Sequence, residues 1–174
     1  MRGLHKGIAL AVASFLYGVQ SKFFIFYGIH GANLTRYSIL LALSLNSILH
    51  TAIHNHAITG DEFLLFIAGL LDHMQPWPLP NSVIVMDNAA IHKVEGIQEM
   101  IEERSLHLIY LPPYSPDLNP IEEAFSSIKA WLHANRDYVS GEIQGDAYAV
   151  IREAVHSITQ DDAYGWYQHS EYIA

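Results

Sequence analysis

Three acids stand where a metal-dependent chemistry would need them. Asp87 directly follows the apolar run Ser82–Met86 (SVIVM), and Glu122 and Glu123 follow a loop carrying Pro112, Pro113, Pro116 and Pro120. Carboxylates are hard oxygen ligands, and the chain has no cysteine, so a cation held between them is Mg²⁺ or Mn²⁺. Each acid also has an ordinary reading: an aspartate after a strand commonly shapes a turn, and glutamates in a first helical turn commonly face the helix dipole. A second pair, His54 and His56, would fall on one face of a strand. It has the makings of a zinc pair, but no further ligand suggests itself close by in sequence.

The elements around these residues decide whether they can meet. Val83–Met86 is a short, wholly apolar run bounded by turn residues, the pattern of a central strand covered on both faces. Asp87 then marks the carboxyl end of that strand, where open α/β sheets place their ligands. Leu106–Leu111 predicts a neighbouring buried strand. The prolines stiffen the loop after it by fixing φ, and Asn119 and Pro120 predict the cap and first position of a helix over 121–133. If the two strands are adjacent, Asp87 and Glu122 face one site.

Upstream, 36–43 and 48–54 predict a hairpin turning at Asn46-Ser47. Thr59 or Asp61 caps a helix whose Phe63, Phe66, Ile67, Leu70 and Leu71 recur at helical spacing. Amphipathic helices are predicted over 92–104 and 145–158. Residues 8–27 are apolar with little period, so helix and strand cannot be separated there. A hairpin followed by alternating strands and helices implies an α/β fold, a mixed sheet flanked by helices.

The 174 residues suit one domain, and 51% hydrophobic against 16% charged residues exclude a disordered chain. The absence of cysteine excludes disulfides and a thiol nucleophile. The formal charge of -9, with 9 Lys+Arg against 18 Asp+Glu, is the reverse of a basic DNA-binding footprint. Any DNA affinity would therefore be weak and salt-sensitive. The start, Met1–Lys6 followed by apolar 7–19, has the charged and apolar regions of a secretory signal peptide but is too short for a membrane helix.

Two blocks carry a resemblance. Val85-Met86-Asp87-Asn88-Ala89-Ala90-Ile91-His92 and Leu111-Pro112-Pro113-Tyr114-Ser115-Pro116-Asp117-Leu118-Asn119-Pro120-Ile121-Glu122-Glu123-Ala124-Phe125 resemble the DDE endonuclease domain of mariner-type and insertion-sequence transposases. The 34 residues between positions 87 and 122 match that family's spacing class. The likeness extends to Arg36–Leu43, Thr59-Gly60-Asp61 and Lys129–Trp131, and covers about 36–135.

The resemblance implies a ribonuclease H-like fold in which three carboxylates hold two Mg²⁺ or Mn²⁺ ions for DNA strand cleavage and transfer. It implies that Asp87 is the second carboxylate and Glu122 the third, with Glu123 a less favoured substitute. Asn88 and His92 match accessory positions that orient the metal site or contact DNA. It also implies DNA as partner and action in the nucleus or in a prokaryotic cytoplasm; the short apolar run at 7–19 implies no membrane, and an apolar edge left by a missing first strand would favour homo-oligomers.

One departure matters. The family's first aspartate should precede Arg36, yet residues 1–35 contain neither Asp nor Glu. The family's N-terminal helix-turn-helix domain is absent as well. The expectation is a truncated or decayed copy with a divergent segment over 1–35, a DDE domain over 36–160 and a tail over 161–174. Its first strand should be degenerate or missing and its catalysis impaired. Two other readings compete: a non-catalytic nucleic-acid-binding or interaction module reusing the fold, and a nuclease completed by a carboxylate from another subunit.

Overall fold

A computed structural model describes residues 8–14, 25–27 and 35–173. Its strands are β1 (Ile8–Ser14), β2 (Ile25–Tyr27), β3 (Thr35–Ser44), β4 (Ser47–His54), β5 (Val83–Met86) and β6 (His107–Tyr110). Its helices are α1 (Gly60–Leu71), α2 (Ile97–Glu103), α3 (Ile121–Ala134), α4 (Arg136–His156) and α5 (Gln160–His169).

The sheet runs β4-β3-β1-β5-β6, with β2 pairing the start of β3. β1 is antiparallel to β3 and parallel to β5, and β5 is parallel to β6. This is the mixed sheet flanked by helices that the ribonuclease H-like resemblance implies. The first strand is therefore present, in the centre of the sheet, and it is degenerate in sequence (IALAVAS). The apolar stretch that resembles a signal peptide supplies that strand over 8–14.

Alternation along β3 divides the core in two, because successive strand residues face opposite sides. Ile39, Leu41 and Leu43 pack with α3, α4 and α5 through Phe125, Ile128, Val155 and Tyr167. Leu40 and Ala42 pack on the other side with α1 and α2 through Phe63, Ile67, Leu70 and Ile101. Each fully buried Ile, Leu or Phe contributes about 1.5–3 kcal/mol of transfer free energy.

The hairpin forms as expected, turning at Leu45-Asn46. Thr59 caps α1 in a capping box with Glu62, and five apolar residues at helical spacing are buried. The helix expected over 92–104 is broken. A 3₁₀ turn covers Ala90–Lys93, Gly96 takes φ +94°, and α2 starts only at Ile97. A left-handed residue cannot continue a right-handed helix, so periodicity across 92–104 overstated its length. β6 is the edge strand, and its residues alternate between exposed and half-buried instead of being buried throughout. The helix expected from 145 belongs to α4, which kinks at Asp146, whose φ/ψ is not helical.

The sheet and core extend past the 36–160 domain drawn from sequence. β1 lies upstream of it, and Tyr167, in the expected tail, is buried and donates its hydroxyl to Leu43 O at 2.6 Å. Among the described residues no helix is long and apolar enough to cross a membrane.

Candidate metal and nucleic-acid site

β5 and β6 pair in parallel, Val83 with His107 through Met86 with Tyr110, so their carboxyl ends finish side by side. Leu111 N continues the ladder by donating to Met86 O at 2.7 Å. The side-chain amide of Asn88 donates to Leu111 O. Asn88 thus ties the turn after β5 to the start of the proline loop, which gives it a positioning role in the fold of the site.

Asp87 is held by its Oδ1. That oxygen accepts from Ala89 N at 2.8 Å and from His92 Nδ1 at 2.8 Å. The same ring nitrogen lies 3.2 Å from Asp87 O. His92 is fully buried and stacks on Phe63 with ring centroids 4.9 Å apart. Burial pushes the Asp87 carboxyl up, but the His92 hydrogen bond, the charge on that ring and the Ala89 N–H together bring it below the ordinary aspartate range. Asp87 is therefore a fixed carboxylate, ionised at neutral pH.

Glu122 stands in the first turn of α3, after the proline loop. The loop from Leu111 delivers the chain to α3, whose Ile121, Ala124, Phe125, Ile128 and Leu132 bury one face in the core. The expectation that Asn119 caps this helix fails. Pro120 stands at the cap position without a side-chain bond, while Asn119 contributes its carbonyl, accepting from Glu122 N at 3.1 Å. Proline fixes φ near the helical value, so it serves at a helix start without a side-chain oxygen. Glu122 titrates above the ordinary glutamate range, first through burial and then through the negative charge of Asp87, with Lys129 opposing. Of the two acids named from sequence, Asp87 therefore lies near enough for its charge to act on Glu122.

Glu123 is not with them. Its Oε1 accepts from His169 Nδ1 of α5 at 2.9 Å, and its Oε2 is buried without a hydrogen-bond partner. Successive helical residues point about 100° apart, so only one of the two glutamates can face the strand ends.

β1 runs parallel to β5, with Ala11 paired to Val85 and Val12 to Met86, the residue before Asp87. The strand holds alanine, valine, leucine, isoleucine and serine and no carboxylate.

Away from this site, His54, His56 and Glu62 form the one group of three His, Asp or Glu among the described residues whose ligand atoms lie close enough to share an ion. Sequence reading found the histidine pair and missed Glu62 as a third ligand. The available signal was the Thr59-x-x-Glu62 capping box, which turns that side chain back toward the preceding strand.

A family described as the DDE superfamily endonucleases matches residues 29–142. The Tc1 transposable element transposase of Caenorhabditis elegans is 28% identical over 93 residues, 49% of this chain and 34% of its own. The chain thus spans about a third of the length of that curated relative. Among solved structures, the catalytic domain of Mos1 mariner transposase matches with a TM-score of 0.64 at 14% identity, over 97% of this chain and 78% of that one. An intasome chain of simian T-cell lymphotropic virus, solved in complex with PP2A regulatory subunit B56 gamma, matches with a TM-score of 0.61 at 16% identity, over 90% of this chain and 50% of that one. At these identities the structural likeness establishes the fold.

Proposed function

The chain belongs to the DDE superfamily endonuclease family, and from that premise we propose that it is a transposase-derived domain that binds DNA and a divalent cation but cleaves poorly. The observation that carries this reading is the convergence of Asp87 and Glu122 beside a central strand without an acid.

The donor set fits Mg²⁺ or Mn²⁺. Both side chains offer carboxylate oxygens, and their proximity raises the cost of ionising Glu122, a cost that a cation removes. Relatives of the fold include Mos1 catalytic-domain structures described with Mn and with Mg, and Mos1 complexes with a transposon end. When bound, such ions supply Lewis-acid stabilisation and an activated nucleophile at a phosphodiester.

In this chain His92 and Ala89 N hold Asp87 in one orientation, Asn88 fixes the turn that presents it, and α3 places Glu122. Two carboxylates suffice to hold one cation. Holding a pair in register needs a bridging third carboxylate, and β1, the strand parallel to β5, offers none.

The net charge of -9 limits affinity for a phosphate backbone, so DNA binding by this chain weakens steeply with salt. The acid-free β1 also favours a second reading, a DNA-binding module without catalysis. Plasmid nicking in Mn²⁺ separates the two, with Asp87→Ala and Glu122→Ala as controls. The main reading predicts slow nicking that both substitutions abolish. Cleavage at a full enzymatic rate would contradict impairment, and a rate identical in both variants would contradict the site.

A further inference from the structure

β4 ends at His54, and the chain turns through His56 into α1. There the capping box fixes Glu62 by one oxygen. Oε2 accepts from Thr59 N at 2.8 Å and from Thr59 Oγ1 at 2.9 Å. The other oxygen, Oε1, faces back to the strand end, where His54 Nδ1 and His56 Nε2 each lie 3.4 Å away. One ligand atom from each of the three residues lies within 4.8 Å of the other two.

The protonation pattern suits a ligand. His56 Nδ1 lies 3.0 Å from Ala57 O, and a carbonyl can only accept, so this nitrogen carries the proton. Nε2 of the neutral ring then keeps its lone pair toward Glu62. A backbone carbonyl on the far ring nitrogen is the usual device that orients a metal-binding histidine. In a tetrahedral site with bonds of about 2.0–2.1 Å, neighbouring ligand atoms stand about 3.4 Å apart. The two distances to Oε1 already have that spacing. Side-chain exposures of 24%, 53% and 25% for His54, His56 and Glu62 leave one side open to solvent.

We propose that His54, His56 and Glu62 bind a zinc-class dication through two imidazoles and one carboxylate, with the fourth position open to water. The site is chemically distinct from Asp87 and Glu122. Imidazole selects zinc over magnesium, whereas two carboxylates favour Mg²⁺ or Mn²⁺. The ion clasps the end of β4 to the first turn of α1 and closes the turn between them. Because it binds the folded chain through residues that the unfolded chain does not gather, it stabilises the fold.

Calorimetric titration of the full chain with Zn²⁺ after chelator treatment tests this, with Co²⁺ absorption reporting the coordination number. One ion per chain is expected, with four-coordinate Co²⁺ spectra and a raised thermal midpoint. The Asp87→Asn/Glu122→Gln double variant should bind Zn²⁺ equally well. His56→Ala, at an exposed turn position, and His54→Ala should each weaken binding by about tenfold or more. Circular dichroism confirms that the variants fold. Zn²⁺ binding unchanged in both histidine variants, binding lost in the Asp87/Glu122 double variant, or no binding to the parent chain would each overturn the proposal. The last result would leave His54, His56 and Glu62 as ion pairs alone.

Discussion

The carboxylate of Asp87 stands close enough to Glu122 that its charge, added to burial, raises the proton affinity of Glu122. A folded carboxyl that holds its proton more tightly than the unfolded chain favours folding below the unfolded pKa. That advantage is lost as pH rises through the folded value. Glu122→Gln should therefore raise the thermal midpoint of the metal-free protein at neutral pH by about 1–3 °C. The gain should disappear in acid, where the wild-type carboxyl is itself protonated. Melting curves across pH check this, and a midpoint lowered at neutral pH contradicts it.

Asp87 has the opposite sign. Its folded pKa is depressed, so its contribution is present above the unfolded aspartate value and is lost as pH falls through the folded one. His92→Ala removes the bond responsible and empties a fully buried site against Phe63. The expected cost is about 2–4 kcal/mol in denaturant unfolding. The Asp87 carboxyl should also titrate higher by NMR, because burial then acts with less opposition. A titration midpoint unmoved by His92→Ala would show that another group holds Asp87.

The acid-free strand can be tested directly. Ala13→Asp introduces a carboxylate one residue beyond the Val12–Met86 pair. It should increase Mn²⁺-dependent nicking by about tenfold or more, since an interaction worth 1.4 kcal/mol in the transition state gives that factor. The gain should vanish when Asp87→Asn is added. A folded, Mn²⁺-binding Ala13→Asp variant with no gain would show that the acid-free strand is not what limits cleavage.

Tyr167 belongs to the core by its hydroxyl bond to Leu43 O as well as by its packing. Tyr167→Phe should cost about 1–2 kcal/mol, the loss of one buried hydrogen bond. Denaturant unfolding measures it, and a neutral result would mean that α5 adds little to the sheet it covers.

The sequence was most legible where chemistry is local. The Thr59 cap and the wholly apolar run before Asp87 each specify their own structure, and α1 and β5 formed accordingly, while the hairpin formed with its turn one residue earlier than expected, at Leu45-Asn46. The nearness of Glu122 to Asp87 follows from the parallel pairing of β5 with β6 and the proline loop that joins β6 to α3. β1 was not legible, since its run of small and apolar residues has no period to separate strand from helix. The break before α2 depends on one left-handed residue, Gly96, inside a stretch that otherwise reads as helix. The preference for Glu122 over Glu123 came from the resemblance, and the partner of Glu123, His169, lies 46 residues further on, where local sequence gives no sign of it. Glu62 escaped notice as a ligand because the Thr59-Glu62 capping box that turns it toward the strand end was not read from the sequence.

Mn²⁺ binding by electron paramagnetic resonance tests the shared cation most directly, in a His54→Ala/His56→Ala background that leaves only the strand-end acids to be read. Binding should be lost in Asp87→Asn and in Glu122→Gln and retained in Glu123→Gln. Equal binding in all three variants, or its loss in Glu123→Gln alone, would contradict a cation held between Asp87 and Glu122.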